Sequence, residues 1–150
     1  MLKVCLSFDY DTPLGYKESF NIQDLPFDAE IIGTEKILKI LSKYNVKATF
    51  GIVANILNKK DAYKQFVEQI MVIHKKGHEI CSHSYTHKYL PSLQKHILID
   101  ELKLSKSILE DYLQTSISGF IPPFNRPMTF IDKGALSISE VFGLYNRGFA

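Results

Sequence analysis

Three short apolar runs, Lys3–Asp9, Val46–Val53 and His78–Ser82, punctuate this chain, and each is followed by a stretch too long for a hairpin turn. Runs of this kind read as buried strands, and connections of this length read as crossovers, so the strands are expected to lie parallel. The intervening segments supply the helices. Glu35–Tyr44 carries Ile37, Leu38, Leu41 and Tyr44 at helical spacing, with Thr34 as its N-cap. Asp61 is placed to cap a helix with Phe66, Val67, Ile70, Met71 and His74 on one face, closed by Gly77. Ser92 opens the longest helix, which reaches about Gln114 with Ile97, Leu98, Leu102, Leu109 and Leu113 inward. Thr12–Asp28 is polar, contains proline and glycine, and reads as irregular. Gly119–Phe124 is an extended segment that Pro122 and Pro123 keep out of a sheet centre. An amphipathic helix over Lys133–Tyr145 follows. The pattern predicts an α/β layered sheet or barrel in a single domain over residues 1–150, without internal repeats.

Composition excludes several classes. A formal charge of +2, with dispersed lysines, offers no stripe for nucleic acid. No apolar run approaches the ~20 residues of a membrane span, and Met1–Phe8 is too short for a signal sequence. Cys5 and Cys81 form no CxxC pair, so a cysteine zinc site is not indicated. Both lie in runs that read as buried strands. The expectation is a reducing cytoplasm.

In parallel α/β folds, chemistry collects at the C-terminal ends of the strands. Three groups fall there: Asp9-Tyr10-Asp11, His83 to His87, and Pro122-Pro123-Phe124. Asp9 and Asp11 are two apart, so an extended chain points both to one side. One carboxylate could then hold a metal while the other stays free as a base. Two imidazoles with one carboxylate make a three-ligand site with open positions, the arrangement of a catalytic rather than a structural metal. Each feature alone has a plainer reading. An aspartate after a strand also makes turns and caps helices, and an isolated HxxxH is a weak signal. His78 is expected to pack or hydrogen-bond within its strand.

These residues resemble the polysaccharide deacetylase family, metal-dependent hydrolases of acetamido sugars such as chitin oligomers and peptidoglycan. "LSFDYD" (Leu6 to Asp11) resembles its first motif, and "VKATFGIVAN" (Val46 to Asn55) the strand after it. "GHEICSHSYTH" (Gly77 to His87) resembles the metal-binding segment, and "GFIPPFN" (Gly119 to Asn125) the arginine-proline-proline-tyrosine motif. The resemblance implies a distorted (β/α) barrel of the glycoside hydrolase/deacetylase type, of which this chain looks like the first two-thirds. By the same resemblance His83, His87 and Asp11 are metal ligands and Asp9 is the catalytic base. Pro123 and Phe124 contact the oxyanion or substrate, through the Phe124 backbone N–H. The metal implied is zinc, with iron, cobalt or nickel also compatible with nitrogen and carboxylate donors.

Two departures stand out. Ile121 occupies the place of the arginine that pairs with the catalytic carboxylate, leaving Arg126 as a substitute. The chain also has no tryptophan and no histidine after His96, where the family carries a tryptophan motif and a general-acid histidine. The expected function is N-deacetylation of an acetylated sugar or glycan. A non-catalytic metal- or glycan-binding chain and a hydrolase of a cyclic imide or allantoin-like amide are the alternatives. The Thr12–Asp28 segment is expected to line the site.

Overall fold

The computed structural model describes residues 3–20 and 28–125. Its sheet has three parallel strands in the order β1 (Ser7–Tyr10), β2 (Thr49–Ile52) and β3 (Glu79–Ser82). Tyr10 aligns with Ile52, and Ile52 with Ser82, so the three strands finish level. That alignment brings the residues after each strand to one edge. Beyond β3, Phe120 forms a parallel bridge to Ser82, and the Ile121 N–H donates to the Ser82 carbonyl. The proline-containing segment therefore lies at a sheet margin, where the donors missing at Pro122 and Pro123 cost no ladder bond.

The helices are α1 (Thr12–Phe20), α2 (Asp28–Lys43), α3 (Lys64–Lys75) and α4 (Lys95–Leu113). In α3 the buried positions Phe66, Val67, Ile70 and Ile73 recur every three or four residues. They pack with Phe50 and Ile52 of β2 and with Leu109 and Leu113 of α4 into one core. Gly77, with φ of +74°, makes the left-handed turn that ends α3. Among the described residues no helix is long and apolar enough to cross a membrane.

Several expectations need correction. Thr12–Phe20 is helix α1, not irregular chain. The Thr12 hydroxyl accepts from the Gly15 N–H at 3.4 Å and Pro13 follows it, so the apparent turn signal is a helix start. Helix α2 begins at Asp28, which leaves Thr34 buried inside it rather than capping it. Gly33 lies inside the helix as well, and one glycine costs a helix only about 1 kcal/mol. Tyr44 lies outside α2 and is exposed.

Helix α3 starts at Lys64 and not after Asp61: the chain leaves the 3-10 helix Ala54–Lys59 through turns at residues 60–63, where the Ala62 and Tyr63 N–H groups donate to the Lys59 carbonyl. Ser92 ends a separate 3-10 turn, Leu90–Ser92, and its hydroxyl donates to the Tyr89 carbonyl instead of capping α4. Ile97 faces solvent. Cys5 is exposed, since β1 begins only at Ser7, whereas Cys81 is buried as expected. The helix expected over Lys133–Tyr145 lies outside the described residues, as does Arg126.

Candidate metal centre

The level strand ends set the site. Asp9 is in β1, Asp11 follows it, and His83 comes directly after β3, its N–H donating to the Ile52 carbonyl at 2.9 Å. The chain then turns through Ser84 (φ +65°) to His87 (φ +66°). The Ser84 hydroxyl accepts the His87 N–H at 3.0 Å, which closes the turn locally and accounts for a small hydroxyl residue between the histidines.

Outer partners fix which ring nitrogen of each histidine carries its hydrogen. His83 Nδ1 lies 2.7 Å from the Ile121 carbonyl, an acceptor only, so Nδ1–H is the donor. His87 Nδ1 lies 2.5 Å from the Ser19 hydroxyl. That hydroxyl spends its hydrogen on the Gly15 carbonyl at 2.8 Å, so it must accept from His87 Nδ1–H. In the neutral rings both Nε2 atoms are therefore bare lone pairs, and they face each other at 3.2 Å. Asp11 Oδ1 stands 3.3 Å from one and 3.4 Å from the other. It is buried without a hydrogen-bond partner.

Three buried acceptors aimed at one point repel unless something positive lies between them. Donors bonded at about 2.0–2.1 Å to a common tetrahedral ion stand about 3.3 Å apart, which is the spacing here. The residues present fit a divalent cation. A proton is the lesser substitute. Burial pulls the His83 imidazole down, but the bond its protonated ring makes to Asp11, the charge of Asp9 and the Ile121 carbonyl together raise it above its ordinary value. The His87 imidazole is held below its ordinary value by burial, aided by His83, against the attraction of Asp11 and Asp9.

Asp9 Oδ2 lies 4.0 Å from His83 Nε2, outside the close triad and half exposed. Phe124 (φ +59°) sets its ring 4.9 Å from that of His87, with Pro123 buried beside it. His78 is buried against the Phe50 ring and its Nδ1 accepts the Ala48 N–H at 3.3 Å, so it belongs to the core. Two partners of the site are not evident in the sequence. Ser19 lies on α1, in the stretch that reads as irregular. Glu30 accepts the Thr12 N–H at 3.2 Å. Burial pushes its carboxyl up to about 7, against the Thr12 bond and with a further push from Asp11. An acid early in a helix would have been the signal, had α2 been read from Asp28.

A family model described as polysaccharide deacetylase matches residues 4–145. The chain belongs to the polysaccharide deacetylase family. It is 25% identical over 127 residues to the peptidoglycan deacetylase of Helicobacter pylori, a match covering 81% of this chain and 41% of that protein. It thus spans less than half the length of that relative. Among solved structures it resembles the Xyl-CE4 domain of a multidomain xylanase from the hindgut metagenome of Trinervitermes trinervoides. There the TM-score is 0.60 at 20% identity, covering 86% of this chain and 52% of the other. A family 4 acetyl xylan esterase from Clostridium thermocellum, solved with a cobalt ion, gives a TM-score of 0.58 at 24% identity, over 85% and 53% of the two chains. These likenesses show the fold: the parallel strands and crossover helices form one arc of the distorted deacetylase barrel.

Proposed function

We propose that this chain carries the metal centre of an N-deacetylase acting on an acetylated sugar or glycan, with Asp11, His83 and His87 as ligands. One observation carries the reading: three bare donor atoms converge at 3.2 to 3.4 Å with no proton assigned between them in their neutral forms. The tetrahedral spacing favours zinc, and cobalt, iron and nickel accept the same donors. A divalent ion held there supplies Lewis acidity to the amide carbonyl and to the attacking water. Asp9, at the rim and outside the ligand triad, is the base that takes the water's proton. The Phe124 backbone N–H donates to the developing oxyanion, a role indifferent to the side chain. Pro123 shapes the substrate-facing wall. Two free thiols, one of them exposed at Cys5, support a reducing, cytoplasmic setting.

The test is acetate release from chitooligosaccharides and peptidoglycan, before and after chelation, in wild type and Asp9→Asn. The reading expects release that chelation abolishes and that Asp9→Asn lowers by about 10²- to 10⁴-fold. Release indifferent to chelation would refute it. Ile121 favours a second reading, a non-catalytic glycan-binding chain. The family's arginine is replaced there by a buried aliphatic residue whose carbonyl holds His83, so no guanidinium at that position orients Asp9. Metal uptake with glycan binding and no acetate released would select that second reading. Turnover of a cyclic imide instead would move the substrate class.

A further inference from the structure

The loop that joins the two histidines is held from outside the site. His83 is fixed by the sheet and by the Ile121 carbonyl. The His87 ring meets the Ser19 hydroxyl, but its backbone is carried by the turn before it. The carbonyls of that turn accept from β2's extension: Ala54 N–H to Ser84 O at 3.2 Å, Asn55 N–H to Tyr85 O at 3.0 Å. Its N–H groups turn the other way, to α4. Glu101 Oε2 accepts the Tyr85 N–H at 3.1 Å and the Thr86 N–H at 2.9 Å, while Oε1 accepts the Thr86 hydroxyl at 2.5 Å. One helical turn on, the buried Ser105 hydroxyl donates to the Ser84 carbonyl at 3.0 Å and lies 2.7 Å from the Ser82 hydroxyl. Glu101 is itself only 5% exposed.

A buried carboxylate with three donors on one loop is an expensive device for packing alone, since an apolar residue at this core-facing position would need no such partners. What the bonds do is hold Ser84 and His87 in left-handed backbone that residues with a Cβ adopt reluctantly. We propose that Glu101 is a positioning residue for the metal centre: its bonds to Tyr85 and Thr86 set the spacing of the two imidazole donors. This rests on the metal reading above. Partners that orient ligands from outside the coordination sphere are commonly worth 10- to 100-fold in metal affinity.

The experiment titrates cobalt(II) into the metal-stripped chain against a competing chelator. Glu101→Ala is expected to raise the cobalt Kd about 10- to 100-fold. Glu101→Gln keeps an acceptor for both N–H groups and an amide for the Thr86 hydroxyl, so it should stay within about threefold of wild type. Leu109→Ala, a buried apolar truncation two turns further along α4 that removes no hydrogen bond to the loop, separates positioning from general instability. It should lower the melting temperature and leave the Kd unchanged. Amide exchange at Tyr85 and Thr86, read without metal, should quicken in Glu101→Ala and not in Leu109→Ala. A folded Glu101→Ala with wild-type Kd overturns the inference, as does an equal loss in Leu109→Ala. If Glu101→Ala does not fold, Thr86→Val decides: a severalfold weaker Kd supports the clamp and an unchanged one overturns it. Wild type that takes up no cobalt overturns the metal reading itself, and the clamp with it.

Discussion

Replacing Asp11 with asparagine should strengthen the metal-free protein while abolishing its metal affinity. Asp11 Oδ1 lies 3.3 and 3.4 Å from two imidazole nitrogens whose lone pairs face it. The asparagine side-chain NH₂ fits the same place and carries two hydrogens, one for each nitrogen. Two acceptors without donors become two hydrogen bonds of about 0.5–1.5 kcal/mol each, a gain of about 1–3 kcal/mol. For a chain of this length that raises the melting temperature by roughly 2–12 °C. The assay is thermal unfolding in chelator at a pH above the His83 titration as NMR of its ring protons locates it, so that both imidazoles are neutral, paired with a metal titration of the same preparations. A chelated Asp11→Asn protein less stable than wild type refutes the hydrogen assignment at both rings. Metal affinity equal to wild type refutes the ligand assignment.

The two imidazoles should titrate apart in the metal-free protein, His83 above and His87 below the ordinary value of 6.5. The signs follow by linkage. The His83 contribution to stability is complete below its unfolded pKa and disappears as pH rises through its folded one. The His87 contribution is present above the unfolded pKa and is lost as pH falls. NMR of the ring protons checks this, and coincident titrations contradict it. Gly119→Ala would put a Cβ 2.0 Å from Cys81 Sγ. It should destabilise by about 1–3 kcal/mol or more, with most of the loss recovered in a double variant with Cys81→Ala, read by denaturant unfolding. Tyr10→Phe removes the buried hydroxyl that donates to Gln69 Oε1 at 2.8 Å. It should cost about 1–3 kcal/mol, since the amide oxygen is left without that donor; a cost near zero would mean that water replaces it.

The strands and the meeting of Asp11 with His83 and His87 were legible because their signals are local. Apolar runs ending in acid or histidine mark strand ends, and level register does the rest: Asp11 and His83 meet because Tyr10 and Ser82 align through Ile52. Helix limits were less legible where one residue type serves two roles. Thr12-Pro13 and Thr34 read as loop and cap, yet the first starts α1 and the second lies within α2. Cys5 read as buried because apolar composition extends further than the ladder that would bury it. The groups that hold the two histidines and the loop between them were the hardest to see. Ser19 reaches His87 from α1, Glu101 reaches the loop between the histidines from α4, and the Ile121 carbonyl is a backbone atom with no sequence signature. Glu101 did leave a trace. It sits with Leu98, Ser105 and Leu109 on the buried stripe of α4, where a charged residue is out of place unless it has partners.

The central claim is that Asp11, His83 and His87 hold a divalent ion together. Elemental analysis of mildly purified protein, wild type beside Asp11→Ala and His83→Ala, tests it most directly. The account predicts near-stoichiometric metal in wild type and little in either variant. Equal trace metal in all three, or full occupancy in the variants, would contradict it.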